Sequence, residues 1–282
     1  MSVPEHSKTL DPSSIPAPEQ ARLLSLAEVV PLLASPDTRR PLSLDADGGS
    51  LHAGDERFPV RSGLPLLFPA RVQPFLGARE LEVPLAHGRD ALLQYVFLSL
   101  VKQRGGEANT PHDDVNYLKH IHRARVLVRE ARGVVLDVGC DSPRISKAIF
   151  PAGTSYVGLD STYADAAQFR LIGMAEFLPI RDAAVENVAL LTSLDHVLDH
   201  HRALDEAWRV LAPGGMLYLA TLVWSERAEL FHDHVHFHHF REHEILGALA
   251  RFSIETLQRY PWKGDTHRSG WYLRARKVDG RA

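Results

Sequence analysis

Along the second half of the chain, apolar positions alternate between short continuous runs and helical stripes. Residues 134–138 form an apolar run broken only by Asp137, the length expected of a parallel strand covered on both faces. Similar runs recur at 155–159, 169–173 and 187–192. Asp199 is placed to cap a helix over 200–211, in which Ala203, Leu204, Ala207, Val210 and Leu211 share a face. Pro213-Gly214-Gly215 stops that helix, and 216–223 reads as the next strand. Residues 242–252 form another amphipathic helix through Ile245, Leu246, Leu249 and Phe252, and strands at 253–258 and 270–276 can close the sheet as an antiparallel pair. Strands alternating with helices predict a doubly wound α/β sheet that binds ligands at the carboxyl ends of its strands.

The first half is patterned differently. Residues 1–20 are rich in proline, serine and charge and read as a mobile tail. Residues 21–33 have helical spacing (Leu23, Leu24, Leu26, Ala27, Val30) until Pro31 interrupts it. Glycine and proline then punctuate short apolar pieces, with small strands expected at 41–44 and 58–60 and a hairpin turn at Asp47-Gly48-Gly49. Together, 21–72 predict a small β-rich module. Residues 73–130 read as a helical cap or linker, apolar almost all round at 91–101. Asp113 or Asp114 can cap a helix there with Leu118, Ile121, Arg125 and Val128 on one face; His120 and His122 fall on nearly opposite faces, so at most one reaches a ligand crevice. The main domain is expected over 131–282.

Composition narrows the functional classes. A net charge of −3 gives no global basic field for nucleic acid or an anionic membrane. The longest apolar run is too short to span a bilayer, and no apolar signal segment opens the chain. Cys140, the one cysteine, permits no intramolecular disulfide and fits a reducing, cytoplasmic setting.

Candidate chemistry starts where the 134–138 strand ends. Gly139 permits a sharp turn, Ser142 is a good N-cap and Pro143 suits the first helical position, so the turn presents free N–H groups to a ligand. Asp160 ends the following strand, where a carboxylate can accept from both hydroxyls of a ribose. In extended conformation His232, His234, His236 and His238 of the 231–240 run point one way. They are open to three uses: a general base near neutral pH, metal ligation, or polar walls and caps.

Four stretches in order resemble class I S-adenosylmethionine-dependent methyltransferases of the type 11-like group. They are Leu136-Asp137-Val138-Gly139-Cys140, Tyr156-Val157-Gly158-Leu159-Asp160, Gly173-Met174-Ala175-Glu176-Phe177-Leu178-Pro179, and Ser193-Leu194-Asp195-His196 followed by Arg209-Val210-Leu211-Ala212-Pro213-Gly214-Gly215. Asp141 and Pro143 stand where two further glycines are usual, and Met174 where an acid is usual. The module also resembles the short zinc-ribbon-like domain accompanying some methyltransferases, with Ser35 and Thr38 in place of the first cysteine pair. It is therefore expected to be a metal-free structural or docking domain.

The resemblance implies a seven-stranded Rossmann-like methyltransferase sheet and S-adenosylmethionine as cofactor. It implies cofactor contacts at Asp137, Gly139, Asp141, Ser142, Asp160, Ala175, Glu176, Ser193 and Asp195, with Met174 able to pack on the adenine. Catalytic candidates are His234, His236 and His196, with no metal assigned. The expected acceptor is a small molecule, a hydroxyl of a natural product or sugar, with no nucleic-acid or membrane partner and a homodimer left open. Two other readings stand beside it: a non-catalytic methyltransferase-like scaffold or partner protein, and a methyltransferase fold used for non-methyl chemistry.

Overall fold

The structure is a computed structural model that describes residues 20–70, 115–141, 143–161, 169–226, 236–262 and 265–278. Residues 1–19 of the expected tail, the 91–101 helix, Ser142 and His234 lie outside the described residues.

Among the described residues the large sheet contains β1 (Arg22–Leu23), β6 (Gly133–Val138), β7 (Thr154–Asp160), β8 (Leu171–Ile172), β9 (Val185–Leu191), β10 (Leu211–Trp224), β11 (Phe252–Trp262) and β12 (Asp265–Lys277). The order is β1-β7-β6-β9-β10-β12-β11, with β8 also on β7. The seven expected strands are present and parallel except for β12, which runs antiparallel to both β10 and β11. The chain winds outward from β6 through β7 and then returns to β9 on its other side. A switch point, where ligands bind in open α/β sheets, therefore lies between the carboxyl ends of β6 and β9.

Successive side chains of the central strands enter two different cores. Leu136, Val138, Val157, Leu159, Val188, Leu190, Leu217 and Leu219 join one. Val135, Tyr156, Ala189, Leu191, Tyr218 and Ala220 join the other. This period of two, buried on both sides, explains why the strands read as continuous apolar runs. Helix α3 (His200–Val210) covers the first face through Ala203, Leu204, Ala207 and Val210, and Asp199 caps it by accepting from Arg202 N at 3.0 Å. Helix α2 (Val115–Val128) covers the second through Ala124, Leu127 and Val128. His120, on α2, turns toward the sheet, its Nδ1 2.9 Å from the Tyr272 hydroxyl.

The eighth strand corrects the expectation of a helix across 21–33. Ala21, Arg22 and Leu23 do not continue the helical stripe, because Arg22 and Leu23 pair in parallel with Ser155 and Tyr156 of β7. Helix α1 is confined to Leu26–Val29, and a 3-10 turn, Val30–Leu32, carries Pro31. β8 pairs with Leu159 and Asp160 on the same edge of β7, opposite β6. One edge thus serves an early strand, β1, and the strand that follows β7 in sequence, β8.

The second sheet, β2 (Ser43–Leu44), β3 (Ser50–Ala53), β4 (Glu56–Arg61) and β5 (Leu64–Pro65), has the expected hairpin, with Asp47 Oδ1 accepting from Gly49 N at 2.8 Å. A module this small buries little surface alone. Here Leu33, Leu42, Leu51, Phe58 and Leu67 belong to the same core as the large sheet. Main-chain bonds from Ala34 N to Pro179 O (3.0 Å), Arg181 N to Leu32 O (2.8 Å) and Leu67 N to Ile172 O (2.7 Å) join the two parts. In this module Ser35 Oγ donates to Glu56 Oε1 at 2.7 Å and Thr38 Oγ1 donates to Glu56 Oε2.

Candidate active site

The turn after β6 is held from below and from the side. Gly139 has φ +81°, and a Cβ there would lie 2.3 Å from the Ser193 Cβ, so only glycine lets the turn pass the loop after β9. Gly139 N and Cys140 N both donate to Leu159 O (2.8 and 3.2 Å), and Ser193 Oγ donates to Val138 O at 2.6 Å. Asp141 is exposed with φ +48°, a region aspartate tolerates better than most residues. Its N–H donates to Asp160 Oδ2 at 2.8 Å, and its carbonyl accepts from Arg170 Nη1 at 2.7 Å. Arg170 is wholly buried and was not anticipated from sequence; a lone arginine beside a short strand carries no periodic signal.

Beneath this turn lies a buried acid. Asp137 Oδ2 accepts from the Tyr156 hydroxyl at 2.7 Å, and burial pushes the Asp137 carboxyl up to about 7. Burial also raises the Cys140 thiol well above its usual value, so the chain's one cysteine is a small packing group and not a nucleophile.

The loop after β8 is turned inward more than the sequence suggested. Met174 is buried in a cluster with Leu64, Leu66, Phe68 and Phe177. Glu176 is also enclosed, with Oε1 accepting from Leu198 N at 2.7 Å and Asp199 N at 3.3 Å; burial holds its carboxyl above the usual range. Asp137 and Glu176 are thus committed to protein partners; Asp160 is also buried and accepts from Asp141 N, Ala175 lies in the core, and Asp141 is exposed at the turn.

The Arg209-Val-Leu-x-Pro-Gly-Gly stretch serves the scaffold. Arg209 binds Glu206 through Nε and Nη2 (2.8 and 2.6 Å) and also reaches Ile180 O, Leu178 O and Asp182. Glu206 in turn accepts from Leu178 N at 3.0 Å and from Arg39 Nη2 at 2.8 Å. One ion pair therefore ties α3, the 173–180 loop and the small module together.

At the carboxyl end of β9 a second cluster forms. Asp195 sits in a 3-10 turn, Leu194–His196, and its carbonyl accepts from Phe237 N (2.9 Å) and His238 N (3.2 Å). This stitches the histidine run onto the loop beside Gly139. The Asp195 carboxylate is 6% exposed; His196 Nε2 stands 3.9 Å from Oδ1 and His236 Nε2 stands 3.8 Å from Oδ2. The two imidazole centroids are 4.7 Å apart. Farther out, His200 packs edge-on against His238 and Phe240, and burial together with His238 and His201 holds His200 down to about 4. Sequence spacing placed the even-numbered histidines on one side; it did not reveal that His236 meets His196, which lies forty positions earlier.

No helix among the described residues is long and apolar enough to cross a membrane. Residues 136–219 match the family model described as "Methyltransferase domain". An uncharacterized 37.1 kDa protein in a transposon of Streptomyces fradiae is 28% identical over 208 residues, covering 63% of this chain and 57% of that protein. The ubiquinone biosynthesis O-methyltransferase of Pseudomonas paraeruginosa is 30% identical over 110 residues, covering 34% of this chain and 47% of the enzyme. The chain thus spans about half the length of the curated relatives it matches. The crystal structure of the Burkholderia thailandensis 1,6-didemethyltoxoflavin-N1-methyltransferase shares the fold, with a TM-score of 0.52 and 16% identity over 80% of this chain and 97% of that one. Over residues 136–219 the chain is thus similar to the methyltransferase domain, and its fold is the one seen in the Burkholderia enzyme.

Proposed function

We propose that this protein transfers the methyl group of S-adenosylmethionine to a hydroxyl of a small molecule, a natural product or sugar. The observation that carries this reading is the placement of Asp195, His196 and His236 next to the Gly139 turn, across the Ser193 contact. The donor set suits the cofactor: the exposed Asp141 carboxylate fits an ammonium, Asp160 a ribose diol, and the main chain at Ala175 an adenine edge. When bound, S-adenosylmethionine supplies an electrophilic sulfonium methyl. The turn and Asp160 orient it, the loop fixed by Ser193 positions the acceptor, and His236 or His196 takes the hydroxyl proton. The Asp195 carboxylate lies beside both rings, where its charge favours the imidazolium formed. Such a base contributes about 10²–10⁴ in rate.

The reading brings with it a cytoplasmic location and no nucleic-acid or membrane partner; a homodimer is measured directly by light scattering. Its test is calorimetric titration of the chain with S-adenosylmethionine and its demethylated product. Micromolar binding that weakens tenfold or more in Asp160→Ala is expected, followed by release of demethylated cofactor when hydroxylated acceptors are screened. A non-catalytic partner protein on the same fold is favoured by the replacement of two turn glycines with Asp141 and Pro143; absence of binding at millimolar cofactor selects that reading.

A further inference from the structure

We propose that Asp195, His196 and His236 form a binding site for one divalent transition-metal ion. One carboxylate oxygen and one ring nitrogen from each histidine lie within 4.8 Å of one another. Each Nε2 faces a different oxygen of the same carboxylate at 3.8–3.9 Å, too far for a hydrogen bond. Ligands about 2.1 Å from a shared tetrahedral ion stand roughly 3.4 Å apart, so an ion bound here would draw these donor atoms together by roughly 1 Å.

A second observation points the same way. Asp195 Oδ1 is buried and lacks a hydrogen-bond partner among the described residues. A buried carboxylate oxygen left in that state is costly, and a cation between it and the imidazoles satisfies it. The main chain is already fixed for the purpose. His196 N donates to Ser193 O at 3.1 Å, and Phe237 N and His238 N donate to Asp195 O, so the segments bearing the ligands are joined without an ion.

The donor set names the ion class. Two imidazoles and one carboxylate suit zinc, cobalt(II), nickel(II) or iron(II), whereas magnesium and calcium seek oxygen ligands. Three protein ligands leave a position open, as in catalytic and not structural zinc sites. The inference stands apart from methyl transfer, since it concerns the donor set alone. The two meet at one point: a ligated imidazole nitrogen takes no proton, so the ion competes there with the acceptor's proton.

The test is titration of the chelator-treated full chain with cobalt(II), followed by its visible d–d absorption, with zinc added to displace it. One equivalent per chain is expected to bind and to be displaced by zinc. His236→Gln and Asp195→Asn should each weaken binding by on the order of 100-fold, at or beyond the 10–100-fold that losing an outer-shell partner costs. His243→Gln, whose imidazole pairs with Glu226 at 3.0 Å, should bind as the parent does. Far-ultraviolet circular dichroism checks that each variant folds; His236→Gln alters a partly exposed side chain and keeps the test open if Asp195→Asn does not fold. Lack of a stoichiometric cobalt spectrum in the parent chain overturns the proposal. So does binding that persists unchanged in His236→Gln, which would put the ion on other histidines.

Discussion

The Tyr156 hydroxyl donates to Asp137 Oδ2 at 2.7 Å inside the sheet, directly under the turn that leaves β6. Burial raises the Asp137 carboxyl to about 7, so the folded protein retains a proton there that the unfolded chain releases near 4. Between those values the native state binds more protons, and this group's contribution to stability is largest at low pH and lost as pH rises through 7. The full difference is roughly 4 kcal/mol. Asp137→Asn keeps an acceptor for Tyr156 without a charge. Urea unfolding at several pH values should show the variant gaining on the parent from pH 4 to 7, with the difference level above about 8.

His120 gives a slope of the opposite sign. Burial, with Arg123 nearby, lowers its imidazole to about 4, so the unfolded chain takes up a proton near 6.5 that the folded one refuses. This contribution is present above 6.5 and is lost as pH falls toward 4. His120→Gln should flatten stability across that window relative to the parent, and the parent His120 ring should show a neutral chemical shift at pH 5.5 by NMR.

Gly139→Ala meets two separate obstacles, the φ of +81° and a contact 2.3 Å from the Ser193 Cβ. We expect a loss of at least about 3 kcal/mol in denaturant unfolding. Ser193→Gly in the same chain removes the contact and leaves the backbone term of about 1–2 kcal/mol. If the double variant is no more stable than Gly139→Ala alone, the contact is not what makes alanine unacceptable.

Glu206→Ala leaves Arg209 buried without its carboxylate and also removes the partner of Leu178 N and Arg39. A broken buried pair costs about 3–5 kcal/mol, so thermal unfolding should fall by many degrees. Arg209→Lys should recover little, because a lysine cannot reproduce the forked pairing with Glu206 together with the bonds to two carbonyls.

Glu56→Ala removes the acceptor shared by Ser35 and Thr38 and should cost about 1–3 kcal/mol, visible as faster proteolysis between β2 and β4. Glu56→Gln, which keeps one carbonyl oxygen for the hydroxyls, should lie between the alanine variant and the parent.

Sequence pattern revealed the sheet because its information is local. Strands buried on both faces are apolar throughout, and the cap at Asp199 and the stop at Pro213-Gly214-Gly215 are side-chain and backbone effects within a few residues. It failed at β1, where Leu23, Leu24, Leu26 and Ala27 fit a helix as well as an edge strand and the deciding partner, β7, is more than 130 positions away. At the candidate site, residue type was legible and commitment was not. Asp137, Glu176 and Asp160 are all acids near strand ends, and only three-dimensional packing separates the one bonded to a tyrosine from the one bonded to a helix-entry loop and the one beneath an exposed turn. The pairing of His196 with His236 is likewise a product of folding, set by main-chain bonds that no side-chain pattern announces.

The edge of β7 that receives both β1 and β8 has a consequence for synthesis. A ribosome delivers Arg22 and Leu23 long before Ser155 and Tyr156, so the earliest described strand has no partner until more than half the chain has emerged. The four-stranded hairpin sheet can form as it leaves the exit tunnel, but its apolar face, which belongs to the large core, must wait for the same late strands. Folding therefore brings an early strand and a mid-chain strand onto one edge of β7. A pause that delays β7 would prolong exposure of Leu24, Leu33 and Phe58, and with it the chain's demand for chaperone protection.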